Sequence, residues 1–412
     1  MKKFVLCLMC TLFLICAMPL HSAAASKDAP TLESAQMGIL YEETTDTLLF
    51  SFHGNQQNVP ASLTKVLTAL LVLEYDPTLS GTAIVSEAAV SDQYCSWKDN
   101  FYLRPGEDVK IIDLMHYLLI VSGNEAATVL AEYVAGSIPA FITKMNAKAK
   151  ELGMNDSVFY DPHGLSASNK VTCEDMLILC RYAMKNEIFR SIVCQSAGCL
   201  PTNSQRDWTH QYKTTNRLIR HNNAPGYVTD YYKDILGIKT GSTKAAGLNF
   251  ACCMKKDDLV FYSVVMHAGS VEYEGSTISG HFTDTVTLLD YARTYSKDGF
   301  AAGETVGKIR TKGNLLKNLT VVASEDLYTL VSGKLNVELV AADDLGSSVK
   351  KGDAVGKAVV KDDFGNTKEV VLLAAADAST NPVEYVVVAV VVVAIAAGIV
   401  LVIKKRKQGA KA

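Results

Sequence analysis

PASLTKVLTALLVLE, residues 60–74, combines a helix start, an apolar helical face and an S-x-x-K motif. Pro60 stands where helices commonly begin, and apolar residues then recur three and four positions apart. This spacing predicts a helix over residues 62–74. On such a helix Ser62 and Lys65 share one face, and Ser62 lies near the N-terminus, where backbone N–H groups are unpaired. The segment therefore predicts a serine and a lysine held close together.

Two further motifs follow in a fixed order. Ser122-Gly123-Asn124 lies between two helical patterns, and Lys239-Thr240-Gly241 follows Gly237-Ile238 in a pattern typical of an edge strand. The ordered set S-x-x-K, S-x-N and K-T-G is typical of penicillin-binding proteins and class A β-lactamases. S-x-x-K recurs at 347–350 and S-x-N at 379–381, but the 347–350 copy lies in a turn-rich stretch, so the first copies are favoured.

Each motif also has a structural interpretation when it is taken alone. Ser62 could cap a helix beside an exposed lysine, the S-x-N motif could be a capping loop, and Lys239 could lie on a β edge. The chemical interpretation is that Lys65, desolvated and near the second cation Lys239, loses its proton and activates the Ser62 hydroxyl. Ser122 can pass a proton, while Gly123 lets the backbone turn.

The remaining motif residues suit a peptide substrate. The Asn124 amide can bind a peptide group, and an edge strand can pair with an extended peptide. On that strand Lys239 supplies positive charge and Thr240 supplies a hydroxyl. Gly241 has no side chain that would block the approach of the peptide.

The ends of the chain predict export and membrane anchoring. Residues 1–25 carry Lys2 and Lys3, an apolar stretch and the small residues 23–25, which is the pattern of a signal peptide. An uncleaved N-terminal anchor is the alternative.

Residues 385–403 form an apolar run whose length is close to the roughly 20 residues that span a bilayer, and the basic residues 404–407 follow. These features predict a C-terminal transmembrane helix, a cytoplasmic basic tail over 404–412 and a catalytic domain outside the cell.

Composition is that of a globular protein, with 49% hydrophobic residues, 20% charged residues and a formal net charge of -3. Outside the C-terminal tail there is no basic stripe that would indicate a nucleic-acid partner.

Seven cysteines, an odd number, remain once the signal peptide is removed. The sequence has no C-x-x-C pair that would indicate a zinc site. Cys252 and Cys253 are predicted to be buried and reduced on opposite faces of a strand. Cys194 and Cys199 could form a local disulfide.

Apolar patterns divide the mature chain into two parts. The first part, residues 26–298, contains a predicted hairpin over 34–51 and predicted strands at 247–254 and 259–266. Its predicted helices lie at 111–120, 125–135, 138–152, 173–185 and 283–295. Residues 299–376 consist of short Val-, Leu- and Thr-rich runs separated by turns, which predicts a small antiparallel β domain. Residues 377–384 read as a stalk before the membrane.

Six strings, in order, resemble the low-molecular-mass serine D-alanyl-D-alanine carboxypeptidases, which are penicillin-binding proteins of peptidase family S11. They are PASLTKVLTA at 60–69, LRPGEDV at 103–109, LLIVSGNEAA at 118–127, MNAKAKELGM at 145–154, DPHGL at 161–165 and GIKTG at 237–241. The resemblance covers residues 34–295, and the β domain and C-terminal anchor match the family's layout.

The resemblance implies an α+β fold, a serine β-lactamase/DD-peptidase-like domain with an antiparallel sheet and a helical cluster, followed by the all-β domain. It implies removal of the terminal D-alanine from peptidoglycan stem peptides ending in D-Ala-D-Ala, inhibition by β-lactams, and no cofactor or metal. By the same resemblance Ser62, Lys65 and Ser122 are catalytic, Asn124, Lys239, Thr240 and Gly241 bind substrate, and the backbone N–H groups of Ser62 and Ser242 form the oxyanion hole.

One departure concerns the substrate's free carboxylate. Family members often carry an arginine after the strand that follows K-T-G, whereas residues 266–290 contain no Lys or Arg. Carboxylate recognition then depends on Thr240 and Lys239 alone or on an arginine elsewhere. His267 and His281 lie in the segment without Lys or Arg, and they are interpreted as structural, as is His163.

Two other functions remain as alternatives. One is a class A-like β-lactamase, which would need a glutamate-bearing loop between Asn124 and Lys239. The other is a membrane-tethered penicillin sensor or scaffold.

Overall fold

The computed structural model describes residues 29–91, 103–219, 233–273, 275–310, 318–343, 345, 348–379, 386–387 and 389–399. The signal peptide, Cys95, Ser347 and the basic tail lie outside the described residues. The chain forms two compact units, which divide between Ser296 and Lys297.

The first unit contains eleven described strands. In chain order they are β1 (Met37–Glu42), β2 (Thr47–Phe52), β3 (Thr82–Ile84), β4 (Asp108–Lys110), β5 (Ala197–Leu200), β6 (His210–Lys213), β7 (Ile235–Thr243), β8 (Gly247–Lys256), β9 (Leu259–Ala268), β10 (Ser270–Tyr273) and β11 (Ser276–Ser279). Five of them form an antiparallel sheet in the order β2-β1-β9-β8-β7. The predicted hairpin is confirmed as β1 and β2, and the K-T-G motif lies on β7 at the edge of this sheet, as predicted.

Seven described helices pack around the sheet. They are α1 (Lys65–Tyr75), α2 (Ile111–His116), α3 (Asn124–Ala135), α4 (Ile138–Glu151), α5 (Cys173–Ala183), α6 (Glu187–Val193) and α7 (Gly280–Arg293). Side chains cap three of them at the N-terminus, those of Ser137, Thr172 and Asn186. The predicted helices are confirmed to within a few residues at their ends; short α6 and the β3–β4, β5–β6 and β10–β11 pairs were not predicted.

The sheet is covered on both faces. Helix α5 packs on β1 and β9, and α7 packs on β8 and β9. The rings of Phe250 on β8 and Phe282 on α7 lie 5.1 Å apart, which places α7 over the face that Phe250 occupies. Helix α1 is buried from Lys65 to Leu73, so it is a core helix rather than the one-sided amphipathic helix that the sequence suggests.

The predicted state of Cys252 and Cys253 is confirmed. Both side chains are buried and both thiols are free. Burial raises the pKa of both thiols, that of Cys253 to about 12, so they stay protonated and behave as small apolar groups. Cys194 and Cys199 are exposed, and no disulfide joins them.

The second unit is built from strands. They are β12 (Ser296–Phe300), β13 (Thr305–Arg310), β14 (Asn318–Ala323), β15 (Leu327–Val331), β16 (Asn336–Ala341), β17 (Ser348–Val349), β18 (Ala354–Lys361), β19 (Thr367–Ala374) and β20 (Ala378–Ser379). Five form a sheet in the order β13-β14-β19-β18-β16. Alternate residues of β18 and β19, such as Ala358, Val360, Val370 and Leu372, are buried in one apolar cluster. The predicted small antiparallel β domain is confirmed.

The C-terminal apolar run is described only in part. Ala389–Ile399 forms a short apolar helix, and its large side chains are exposed. Within the described ranges, no single helix has the length and composition to cross a membrane; α3 and α4 meet these criteria only as a pair bent by 85°. A complete transmembrane helix therefore stays a prediction.

Candidate active site

The structure brings the serines and the lysine of the first two motifs together. Ser62 lies in a 3₁₀ turn (Ala61–Thr64) that leads directly into α1, and Lys65 is the first residue of that helix. The Lys65 Nζ lies 2.7 Å from Ser62 Oγ and 3.3 Å from Ser122 Oγ. One amine thus contacts two hydroxyls, which is the arrangement needed to move a proton between them.

Lys65 is completely buried, and protein oxygens surround its amine. Besides the two hydroxyls, its Nζ donates to Asn124 Oδ1 at 2.7 Å and to the backbone carbonyl of His163 at 3.0 Å. The sequence assigned Asn124 to substrate binding, and the structure adds a contact with Lys65. The His163 carbonyl was not anticipated, because a carbonyl contact leaves no signal in a side-chain pattern.

The loop that carries His163 is held by its own aspartate. Asp161 Oδ1 accepts the backbone N–H of His163 at 3.0 Å and also that of Gly164. Gly164 has φ +92°, and a Cβ there would lie 1.8 Å from the carbonyl oxygen of Ala61. Only glycine therefore lets this loop lie against the turn that carries Ser62.

The side chain of His163 is a neutral imidazole. Burial lowers its pKa to about 4; Asp161 opposes this effect and the charge of Lys65 adds to it. The interpretation of this side chain as structural therefore agrees with its environment, although its carbonyl contacts Lys65.

The loop of the second motif turns at Ser122 rather than at Gly123. Ser122 has φ +73° and ψ +36°, a left-handed conformation that is strained for a residue with a Cβ. It follows a π-helical turn, Tyr117–Val121. Gly123 has φ -56°, so the expectation that it provides the turn is wrong. Its role is spatial, because a Cβ there would lie 2.5 Å from the ring of Tyr117.

Lys239 is the second cation of the site. It is buried, and its Nζ donates to the carbonyl of Thr240 at 3.0 Å. Burial lowers its pKa well below 10.5, and the charge of Lys65 lowers it further. Two buried ammonium groups disfavour one another, so the environment favours a neutral amine in the pair.

Gly241 allows β7 to approach the nucleophile. A Cβ on this residue would lie 2.8 Å from the carbonyl of Pro60 and 3.1 Å from the backbone nitrogen of Ser62. Ser242 follows on the same edge strand and is exposed. Strand β7 thus lies directly against the backbone of Ser62.

Two contacts at or beside the motifs involve side chains to which the sequence gave no role. Thr240 Oγ1 donates to Thr215 Oγ1 at 2.6 Å, and nothing in the sequence indicates Thr215. Glu125, directly after the second motif, is buried and accepts the hydroxyl of Tyr117 at 2.7 Å. Burial raises the pKa of Glu125, while the Tyr117 hydrogen bond and the charge of Lys65 lower it.

Comparisons with known proteins identify the family that this chain resembles. Residues 23–270 match the family model described as D-alanyl-D-alanine carboxypeptidase, and residues 296–380 match penicillin-binding protein 5, C-terminal domain. The carboxypeptidase DacF of Bacillus subtilis (strain 168) is 26% identical over 377 residues, which cover 88% of this chain and 91% of DacF. DacC of Escherichia coli (strain K12) is 28% identical over 358 residues, 81% of this chain and 82% of DacC.

A solved structure shows the same fold. The crystal structure of the D-alanyl-D-alanine carboxypeptidase DacD from Francisella tularensis superposes with a TM-score of 0.61 at 23% identity, covering 87% of this chain and 97% of that one. The first family model spans more than half of the chain and contains all three motifs. This chain therefore belongs to the D-alanyl-D-alanine carboxypeptidase family of serine peptidases, and it carries the C-terminal β domain of penicillin-binding protein 5.

Proposed function

We propose that Ser62 of this protein removes the terminal D-alanine from peptidoglycan stem peptides ending in D-Ala-D-Ala. The observation that carries this proposal is the contact of the Lys65 amine with both Ser62 Oγ, at 2.7 Å, and Ser122 Oγ, at 3.3 Å. A neutral amine in this position can take the proton of one hydroxyl and return it through the other.

The reaction proceeds in two halves. Ser62 Oγ attacks the carbonyl carbon between the two D-alanines while Lys65 takes its proton. The oxyanion is held by the backbone N–H groups of Ser62 and Ser242. The C–N bond then breaks, and the proton passes through Ser122 to the amine of the leaving D-alanine. Water attacks the resulting ester by the same route and regenerates Ser62.

The groove beside β7 holds the substrate. The peptide extends along the free edge of β7 and pairs with its main chain, between the K-T-G strand and Asn124. Asn124 and Lys239 orient the peptide, Thr240 contacts its carboxylate, and the missing side chain of Gly241 leaves room at Ser62. A β-lactam occupies the same groove and acylates Ser62, with slow release.

Fast hydrolysis of β-lactams would need a carboxylate beside the acyl-enzyme. The loop next to Lys65 offers the His163 carbonyl, while Asp161 binds the backbone of its own loop. This arrangement favours a carboxypeptidase over a class A-like β-lactamase.

We also propose a domain layout in which this site lies outside the cell. It comprises a signal peptide over 1–25, the catalytic domain over 26–298, the β domain over 299–376, a stalk over 377–384, a transmembrane helix over 385–403 and a cytoplasmic tail over 404–412. The start of the stalk needs one correction, because Ala378–Ser379 forms β20 and pairs with β17, so these residues belong to the β domain. The division of the chain after Ser296 and the exposed apolar helix Ala389–Ile399 support this layout.

The test is to incubate the full-length protein in detergent with an N-acylated peptide ending in D-Ala-D-Ala and to measure free D-alanine. Release by the wild type and its loss in Ser62→Ala are expected. Mass spectrometry of the penicillin-treated protein should place the adduct on Ser62 rather than on Ser347 or Ser379. Normal penicillin labelling without D-alanine release would instead indicate a sensor or scaffold.

A further inference from the structure

The turn that carries Ser62 has a strained backbone. Ala61, directly before the nucleophile, has φ +49°, a left-handed conformation that a residue with a Cβ rarely adopts. Such a conformation persists only where the surrounding structure enforces it. The conformation of Ala61 also sets the direction of the Ser62 N–H group, because the two residues share one planar peptide group. The contacts that hold Ala61 therefore bear on the oxyanion hole.

Asn249 on β8 ties this turn to the sheet. Its side chain is completely buried, and its Nδ2 donates to the carbonyl of Val59 at 2.9 Å and to that of Pro60 at 3.0 Å. These are the two carbonyls that directly precede Ala61. The Oδ1 of Asn249 accepts the backbone N–H of His267, on β9, at 2.9 Å. One amide therefore binds the turn on one side and the neighbouring strand on the other.

The register of the sheet brings Asn249 to this position. Gly241 and Asn249 are direct partners in the pairing of β7 with β8, so their side-chain positions share one face of the sheet. On that face a Cβ of Gly241 would lie 2.8 Å from the carbonyl oxygen of Pro60 and 3.1 Å from the nitrogen of Ser62. The glycine of the third motif thus makes room for the turn, while the amide opposite it fixes the turn in that room.

Neighbouring residues support the same turn. His267 Nδ1 lies 3.2 Å from Asn58 Oδ1, and Asn58 Nδ2 donates to the carbonyl of Ala246 at 3.1 Å. Ala246 packs with Val59 and Ala61 in one small apolar cluster. The strained residue is thus held both by apolar packing and by hydrogen bonds to the carbonyls that precede it.

We propose that Asn249 is a positioning residue, which holds the left-handed turn at Ala61 so that the Ser62 N–H group points at the oxyanion. The inference rests on the proposed function and deepens it, because it assigns a role to a residue outside the three motifs. Asn249 acts through the backbone of residues 59–62 rather than on the substrate. Leucine has nearly the same shape but cannot donate, so Asn249→Leu leaves the two carbonyls without this donor and lets the turn relax.

The test measures how strongly the site binds the carbonyl oxygen of an acyl-enzyme. The full-length protein is acylated by a penicillin that is isotope-labelled at its β-lactam carbonyl, and the infrared band of the resulting ester is isolated by difference. Hydrogen bonds to the oxygen weaken the C=O bond, so Asn249→Leu should shift this band to higher wavenumber. Its second-order acylation rate constant should fall roughly 10- to 100-fold. Asn249→Ala removes the same contacts and takes the place of the leucine variant if that variant does not fold.

The substitution Ala61→Gly separates positioning from a general loss of stability. Glycine adopts positive φ without strain, so it should need less support from Asn249. Combined with Asn249→Leu, Ala61→Gly should recover part of the acylation rate and return the band towards its wild-type position. If the role of Asn249 were only structural, the second substitution would add a loss of its own.

Asn146→Leu is the matched control. The Asn146 side chain likewise donates to two carbonyls, those of Ile142 at 3.0 Å and Phe159 at 2.8 Å, and accepts the N–H of Phe159 at 2.9 Å. This variant should lower the thermal midpoint and leave the band in its wild-type position. An unshifted band in Asn249→Leu, an equal shift in Asn146→Leu, or no recovery with Ala61→Gly would each overturn the inference. A wild-type protein that penicillin does not acylate would instead contradict the proposed function itself.

Discussion

The ring of Tyr117 fills the space beside Gly123, where an added Cβ would lie 2.5 Å from Cε1 and 2.6 Å from Cδ1. Tyr117 is buried, and its hydroxyl donates to Glu125 at 2.7 Å. The ring is thus fixed at one end and cannot easily give way. The glycine of the second motif is required by this packing rather than by its backbone conformation.

Gly123→Ala is therefore expected to lower both stability and activity. Overpacking of this kind costs about 1–3 kcal/mol of unfolding free energy, and any shift of the loop moves Ser122 and Asn124 away from Lys65. The rate of penicillin acylation and the thermal midpoint should both fall. Gly269→Ala is the matched control, because a Cβ there meets nothing within 4 Å. Similar losses in both variants would contradict the packing argument.

The amine at position 65 should be indispensable for acylation. Lys65→Ala removes the group that contacts both hydroxyls, and loss of a general base typically costs about 10²- to 10⁴-fold in rate. Stopped-flow acylation by a fluorescent penicillin measures this rate directly. Lys144→Ala, at an exposed position on α4, should acylate at the wild-type rate. Full-speed acylation by Lys65→Ala would refute the proposed proton transfer.

Much of the fold was predictable because it is encoded in local apolar patterns. The β1–β2 hairpin, the strands β8 and β9 and helices α3, α4, α5 and α7 all match continuous patterns in the sequence. The small hairpins β3–β4, β5–β6 and β10–β11 were missed. Their strands have only three or four residues, too few for alternation to stand out.

The sequence predicted which residues form the site, but it did not predict the contacts that they make. The three motifs identified Ser62, Lys65 and Lys239, which the structure brings close together. Contacts made by backbone atoms or by distant residues leave no local signal: the carbonyl of His163 on Lys65 and the hydroxyl of Thr215 on Thr240 are of this kind. The left-handed Ser122 was missed for a different reason, since the adjacent glycine is the residue that normally adopts that conformation.

Removal of residues 385–412 should release the protein from membranes. The described helix in this segment, Ala389–Ile399, exposes Val390, Val393 and Ile395, and an apolar helix of this kind is stable when lipid covers it. Expression without these residues should shift the protein from the membrane fraction to the soluble fraction with unchanged penicillin labelling. A truncated protein that still sediments with membranes would place the anchor elsewhere.

The neutral state of His163 predicts a loss of stability in mild acid. Its pKa is 6.5 in its ordinary state and about 4 in the folded protein, so between these pH values the unfolded chain binds more protons. The unfolding free energy therefore rises with pH across this window, and the destabilisation develops as the pH falls from about 6.5 towards 4. Urea unfolding at a series of pH values gives the slope.

The variant His163→Gln removes the titrating group, so its slope over the same window should be shallower than that of the wild type. His53→Gln, at an exposed histidine beside β2, should keep the wild-type slope. Identical slopes for wild type and His163→Gln would show that other groups cause the acid sensitivity.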